Sequence, residues 1–141
     1  RRQRQMCIRD RHCKMLFNIT LSKLLNRKIT MLHSYKKYVK YRIKTPLPSY
    51  RQFPCVTPNF DNASRRMHKG FTAFIGSTPQ LYGKWLSSVF EKFKPYSQEE
   101  NFIFINAWNE WAEGNHLEPD QKWGRKYLEE TKKNIDQYKK R

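Results

Sequence analysis

The uninterrupted apolar run Phe102-Ile103-Phe104-Ile105 constrains this chain more than any other stretch. It is too short to be a helix of its own. It lies between a strongly helical pattern and an acid-rich loop, "NAWNEWAEGNHLEPD" at residues 106–120. Phe102 to Ala107 is apolar apart from Asn106, which predicts a strand buried on both faces, the habit of parallel sheets. Parallel strands are joined by long crossovers, usually helices. The flanking sequence should therefore be helical.

Residues 77–95, "STPQLYGKWLSSVFEKFKP", meet that requirement. Ser77 or Thr78 can cap the helix and Pro79 suits its first turn. Leu81, Tyr82, Trp85, Leu86, Val89, Phe90 and Phe93 recur at helical spacing, and Pro95 follows the end. This aromatic stripe reads as core. Ser34 can cap an earlier helix with Tyr35, Tyr38, Val39 and Ile43 on one face, closed by Pro46 and Pro48. Phe53 to Thr57 reads as a short buried strand, with Pro54 at its beginning. A polar loop, "PNFDNASRRMHKG", follows it. Asp120 is expected to open a last helix that turns Trp123, Tyr127, Leu128, Thr131, Ile135 and Tyr138 to the core. The expected order is helix, strand, loop, helix, strand, loop, helix. That alternation predicts an α/β fold with a parallel sheet, either a barrel or a doubly wound one. No GxGxxG or GxxxxGK[ST] motif points to a nucleotide. Both polar loops follow the C-terminal ends of strands, where a (β/α)8 barrel places its chemistry.

The chain has 141 residues, 38% hydrophobic and 15% aromatic, which suits a packed globule rather than a disordered segment. No stretch approaches the length of a membrane span. Residues 1–11, RRQRQMCIRDR, read as the in-frame translation of a transposase-type sequencing adapter rather than as native protein. On that reading the gene was cut upstream and the chain is a C-terminal fragment, with residues 12–33 a basic segment of uncertain role. The formal charge is +17. Five arginines against Asp10 account for four of those charges, leaving +13 for the rest. A basic balance of this size raises a nucleic-acid partner. The lysines, however, are spread over helix faces at Lys36, Lys37, Lys40, Lys126, Lys132 and Lys133, which reads as a solvated surface. Cys13 and Cys55, outside the first segment, form neither a CxxC pair nor a zinc spacing. No metal or cofactor is expected, and a reduced, cytoplasmic setting near the inner membrane face is. Asn18-Ile19-Thr20 and Asn62-Ala63-Ser64 match the glycosylation sequon, a triplet that arises often by chance.

The acid-rich loop carries the chemistry. Side chains alternate along a strand, so Phe104, Asn106, Trp108 and Glu110 should point one way. Glu110 then reaches the rim of the sheet, with Glu113 three residues on. Glycoside chemistry uses such a pair, one carboxyl handing a proton to the leaving oxygen and the other ionised. Trp108 and Trp111 offer flat faces to the C–H faces of sugar rings, and Asn109 and His116 could bond hydroxyls. Each also has a plain structural use: packing for the indoles, an ordinary loop position for His116. Glu118 and Asp120 precede a helix, where acids favour the dipole. In the earlier loop Asp61, Asn62 and Arg65 are candidate sugar contacts. The alternative is a turn made by Asp61 and Asn62, with Arg65 paired to Asp61.

"FINAWNEWAEGNHLEPD" closely resembles the signature of the WbsX-type polysaccharide-biosynthesis proteins, often labelled glycosyltransferases, whose domain is similar to glycoside hydrolase family 99, the endo-α-mannosidases. "FPCVTPNFDNASRR" resembles that group's preceding Pro-x-Trp-Asp-Asn-x-x-Arg loop, with Phe60 in place of Trp, and "STPQLYGKWL" resembles the helix between the two. The likeness runs from about Ser34 to Ile135. It implies the C-terminal portion of a (β/α)8 TIM barrel, the last two to three βα units, over residues 34–141, with the rest of the barrel upstream. It implies Glu110 as the base that helps the sugar's own 2-hydroxyl attack and Glu113 as the general acid/base. Asp61, Asn62, Arg65, Trp108, Asn109, Trp111, His116 and Glu118 become substrate contacts. Ala112 stands where the hydrolases carry His, which favours the biosynthetic branch. The expected function is therefore an enzyme acting on glycosidic bonds in bacterial cell-surface polysaccharide, such as lipopolysaccharide O-antigen. Its partner is an oligo- or polysaccharide, not nucleic acid, and the fragment alone should be inactive. A glycan-binding protein of the same fold that has lost catalysis is the alternative, with a basic nucleic-acid-binding module behind it.

Overall fold

The computed structural model describes residues 30–66 and 70–140. Residues 1–11, most of the basic stretch 12–33, Cys13 and the Asn18 triplet lie outside the described residues.

The architecture is mixed α/β, with three helices and small sheets. Strand β1, Met31–Ser34, runs directly into helix α1, Tyr35–Lys44, and Ser34 serves both. Its hydroxyl accepts from the Lys37 N–H at 3.4 Å, which caps the helix as expected. Pro46 holds Thr45 extended, so α1 ends there, with the Thr45 N–H and hydroxyl both donating to the Tyr41 carbonyl. β2 is Cys55–Val56 and β3 is Thr72–Ile75. Helix α2, Pro79–Lys92, is capped by Thr78, whose hydroxyl accepts from the Leu81 N–H at 3.2 Å. Ser77 donates instead to Asn59 Oδ1. β4 is Phe104–Ile105, and β5 (Asn109–Glu110) and β6 (Asn115–His116) form a tight antiparallel hairpin around the 3-10 turn Trp111–Glu113. Helix α3 spans Lys126–Lys139.

β1 pairs in parallel with β3, and β2 in parallel with β4. The parallel pairing inferred from the buried runs is therefore present, carried by very short strands. α2 is the crossover between β2 and β4 and packs against both α1 and α3. Tyr35, Val39, Val56, Tyr82, Trp85, Leu86, Val89, Leu117 and Tyr127 form the core between helices and strands. Burying such aromatic and aliphatic side chains is worth roughly 1.5–3 kcal/mol each. Two buried hydroxyls are satisfied there, Tyr35 by the Thr57 carbonyl at 2.6 Å and Tyr82 by Thr131 at 3.0 Å. At Gly83 a β-carbon would run into the Glu130 side chain, so glycine lets α2 and α3 approach.

Several expectations need correction. The run at 102–107 is not buried on both faces: Phe102 and Phe104 are 50% and 55% exposed, while Ile103 and Ile105 pack on the core. The helices cover one face of these strands, and no described element covers the other. The strand expected over Phe53–Thr57 is only Cys55–Val56, because Pro54 has no N–H to extend the ladder; its carbonyl accepts from Phe104. Strands β1 and β3 are additions to the expected order. The last helix starts six residues after Asp120. Residues 120–124 close a turn first, in which Asp120 Oδ1 accepts from the Trp123 N–H and Gly124 takes φ 56°. Ile135 is 37% exposed, and Asn134 is buried in its place, its amide donating to the Glu130 carbonyl.

Lys92, at the end of α2, places its ammonium on the carbonyls of Arg42, Ile43 and Thr45 at the C-terminus of α1. Those carbonyls have no helical partner, and a cation there also suits the helix dipole. Lys92→Met keeps the stem and removes the charge. It should lower stability by about 1–2 kcal/mol, read as a shift of the denaturant midpoint at unchanged slope.

Candidate active site

The two polar loops meet. The Asp61 N–H donates to the Glu113 carbonyl at 2.6 Å, and Ser64 Oγ donates to the Ala112 carbonyl at 2.5 Å. Gly114, at φ 56°, sits where a β-carbon would press on Asp61 at 3.1 Å, so the close approach uses glycine's freedom. The loop after β2 is thereby zipped onto the hairpin after β4.

This seam carries Arg65 to both acids. Its Nη2 lies 2.7 Å from Glu110 Oε1 and its Nη1 lies 3.2 Å from Glu113 Oε1. The two carboxylates thus converge on a single guanidinium, a fork-shaped, permanently charged donor. Arg65 pairs with the glutamates and not with Asp61. Asp61 and Asn62 do shape the backbone: Asp61 Oδ1 accepts from the Ala63 N–H and Asn62 Oδ1 from the Thr72 N–H, both at 2.9 Å. These bonds hold the loop that presents Arg65.

The remaining residues form a chain of contacts on the other side of the hairpin. The Trp111 indole N–H donates to Glu118 Oε2 at 2.6 Å, and the Trp111 ring stacks on His116 at 3.7 Å and 15°. His116 Nε2 lies 3.1 Å from Asp120 Oδ2, and its Nδ1 is buried without a hydrogen-bond partner. Glu118 and Asp120 are therefore partners of Trp111 and His116. Phe104, Asn106 and Trp108 are all exposed and Ile105 and Ala107 partly buried, but the expected alternation stops there, since Asn109 is exposed and Glu110 partly buried. The peptide bond between Asn106 and Ala107 is cis. Asn109 is exposed and pairs with His116 across the hairpin. Asn115 is fully buried, accepting from Thr57 Oγ1 at 2.9 Å, and so ties β6 to the end of β2.

Beside this hairpin lies a hollow of about 630 Å³, bordered by Trp111 and His116. Glu110 and Glu113 do not line it; they meet at Arg65. Asn59, Phe74, Ser77, Gln121 and Trp123 also border the hollow, and sequence reasoning does not single them out as site residues. Trp123 has the spacing of a core residue, Phe74 lies in the four-residue strand β3, and the others belong to loops whose meeting no local pattern reveals. Among the described residues, no three His, Cys, Asp or Glu side chains are grouped to hold a metal ion, and no helix is long and apolar enough to cross a membrane.

Comparison with known proteins agrees with the family likeness. Two proteins of Xanthomonas campestris pv. campestris, from different strains and both described as uncharacterized protein WxcX, are 40% identical over 88 residues. That match covers 62% of this chain and spans 12% of the length of each relative. No solved structure matches significantly. The family model described as glycosyltransferase WbsX matches residues 2–131, a wider span than the motifs alone and one that takes in most of the basic N-terminal stretch. With nine-tenths of its length inside that match, the chain belongs to the WbsX glycosyltransferase family.

Proposed function

We propose that this chain supplies the catalytic rim of an enzyme acting on glycosidic bonds during polysaccharide biosynthesis, with Glu110 and Glu113 as the working acids. The observation that carries the reading is the convergence of both carboxylates on Arg65. Two acids that share one cation face the same point in space, the arrangement a two-carboxylate mechanism requires. Glu113 gives its proton to the leaving oxygen. Glu110 draws the proton from the sugar's 2-hydroxyl, and that oxygen attacks the anomeric carbon as the leaving oxygen departs. Water or an acceptor hydroxyl, deprotonated by Glu113, then opens the anhydro ring while Glu110 returns its proton to the 2-oxygen. Arg65 orients both side chains beforehand, so no side-chain search precedes reaction. Trp108 and Trp111 present the ring faces. Asp61, Asn62, Asn109, His116 and Glu118 hold the loops or bond hydroxyls.

The short parallel pairs, with helices on one face and apolar strand residues bare on the other, support part of a (β/α)8 wall whose inner face meets further strands. The likeness to family 99 hydrolases supports an α-linked substrate, with Ala112 marking a branch distinct from the mannosidases. Bacterial surface polysaccharide, including lipopolysaccharide, handled on the cytoplasmic side is the setting that fits.

The test is product formation by the longest reading frame that encodes this chain. It is incubated with α-linked oligosaccharides, with and without an acceptor sugar, and products are followed by mass spectrometry. Hydrolysis or transfer products are expected. Saturable glycan binding with no product would replace the catalytic reading with the glycan-binding one. Affinity for nucleic acid that falls steeply with salt, without glycan binding, would overturn both.

A further inference from the structure

We propose that the hollow beside Trp111 is a second saccharide site, separate from the acid pair, that takes a neutral pyranose unit. The choice of ligand class rests on the catalytic reading above; the existence of the site rests on its walls. They come from the C-terminal ends of three strands and the segments that follow them. Asn59 follows β2, Phe74 and Ser77 end β3, and Trp111 and His116 follow β4. Trp123, in the turn before α3, completes them.

The chemistry of the walls selects the ligand. Two indoles and a phenyl ring supply apolar surface for C–H faces. The amides of Asn59 and Gln121 and the hydroxyl of Ser77 supply neutral hydrogen-bonding groups. Asp120 is the single acid there, and both its oxygens are engaged, Oδ2 with His116 and Oδ1 with the Trp123 N–H. Lys122 is the single lysine or arginine among the lining residues and lies over the Trp123 ring at 5.2 Å. A phosphorylated ligand would meet only that one permanent positive charge, whereas a hydroxyl-rich neutral ring needs none. The volume of about 630 Å³ falls within the usual range for small-ligand pockets.

Trp111 is fixed before any ligand arrives. Its N–H is held by Glu118, its face by His116, and His116 in turn by Asp120, which is anchored to the Trp123 backbone. A platform locked in this way does not have to be ordered on binding. Trp111 also lies between Glu110 and Glu113 in the chain, so one residue links the hollow to the acid pair.

The experiment uses the full chain with methyl α-mannopyranoside, methyl α-glucopyranoside and an α-linked dimannoside as probes. The indole N–H signals of Trp111 and Trp123 are followed by NMR. Saturable shifts of both are expected with at least one probe. Gly76 borders the hollow at φ 77°, and a β-carbon there would meet nothing within 4 Å. Asparagine is among the side chains that visit that backbone, so Gly76→Asn should place an amide at the border of the hollow and weaken binding at least tenfold, with a small fall in melting temperature from the positive φ. Gln121→Ala, at an exposed position, should weaken it about threefold and carries the test if the first variant does not fold. No saturable shift with any probe, or shifts indifferent to both hollow variants, would overturn the proposal. If Glu113→Gln abolishes turnover in the longest reading frame that encodes the chain while Gly76→Asn binds like the parent, the second site falls and the catalytic reading stands. Binding blocked by Gly76→Asn alongside turnover that survives Glu113→Gln would mean the reverse.

Discussion

Glu113→Gln should lower turnover on α-linked oligosaccharides by about 10²–10⁴-fold, the usual contribution of a positioned general acid or base. The substitution keeps size and shape, so any loss reports the proton and the charge. Folding should be nearly untouched. The Arg65 and Glu113 side chains are 51% and 28% exposed, and a pair that wet is worth about 0–1 kcal/mol. Arg65 also keeps its shorter contact to Glu110. Melting temperature and turnover measured on the same preparation, in the longest reading frame that encodes the chain, separate the two effects. Turnover equal to the parent's would remove Glu113 from the mechanism. Glu110→Gln should behave alike, and the double variant should cost little more than either single one, because residues acting as a unit are not additive.

Alkaline pH should unfold the protein through its buried tyrosines. Burial pushes the Tyr82 hydroxyl up to about 12, although its bond to Thr131 works the other way. Burial raises Tyr35 and Tyr127 as well, with neighbouring tyrosines adding to the effect at Tyr35 and Asp120 at Tyr127. These groups hold their protons in the folded state after the unfolded chain, near pH 10, has begun to lose them. The folded state then binds more protons than the unfolded one, so stability is full below about pH 10 and falls as pH rises. For each pH unit in that window, Tyr35 and Tyr82 together cost about 3 kcal/mol. A small domain holds roughly 5–15 kcal/mol in all. The part of the tyrosinate absorbance that belongs to Tyr35, Tyr82 and Tyr127 should therefore appear together with the loss of far-UV circular dichroism, in one transition that begins above about pH 10. Tyrosine titration that is complete while the helical signal persists would contradict it.

Much of this is legible in the chain because it is local. Ser34 and Thr78 cap their helices within three or four residues, and the stripe from Leu81 to Phe93 needs only helical geometry to become a buried face. The acids, indoles and His116 of the Asn-Glu-Trp-x-Glu-Gly loop stand together in sequence, so their clustering can be read directly, as can the family likeness. Strand β1 is hidden because four residues that run straight into a helix leave no periodicity to detect. Residues 120–125 carry helix-start residues but fold first as a turn, since Asp120 bonds the Trp123 N–H there.

What the sequence determined by itself was the three helices, the caps of the first two and the grouping of the acids in one loop, because neighbours within one turn decide those. Tertiary structure decided who meets whom. Arg65 reaches Glu110 and Glu113 across 45 and 48 residues, and the hollow gathers loops that follow three different strands. Contacts of that range depend on strand pairing and helix packing, which close only when the whole core assembles, so no short window of residues contains them.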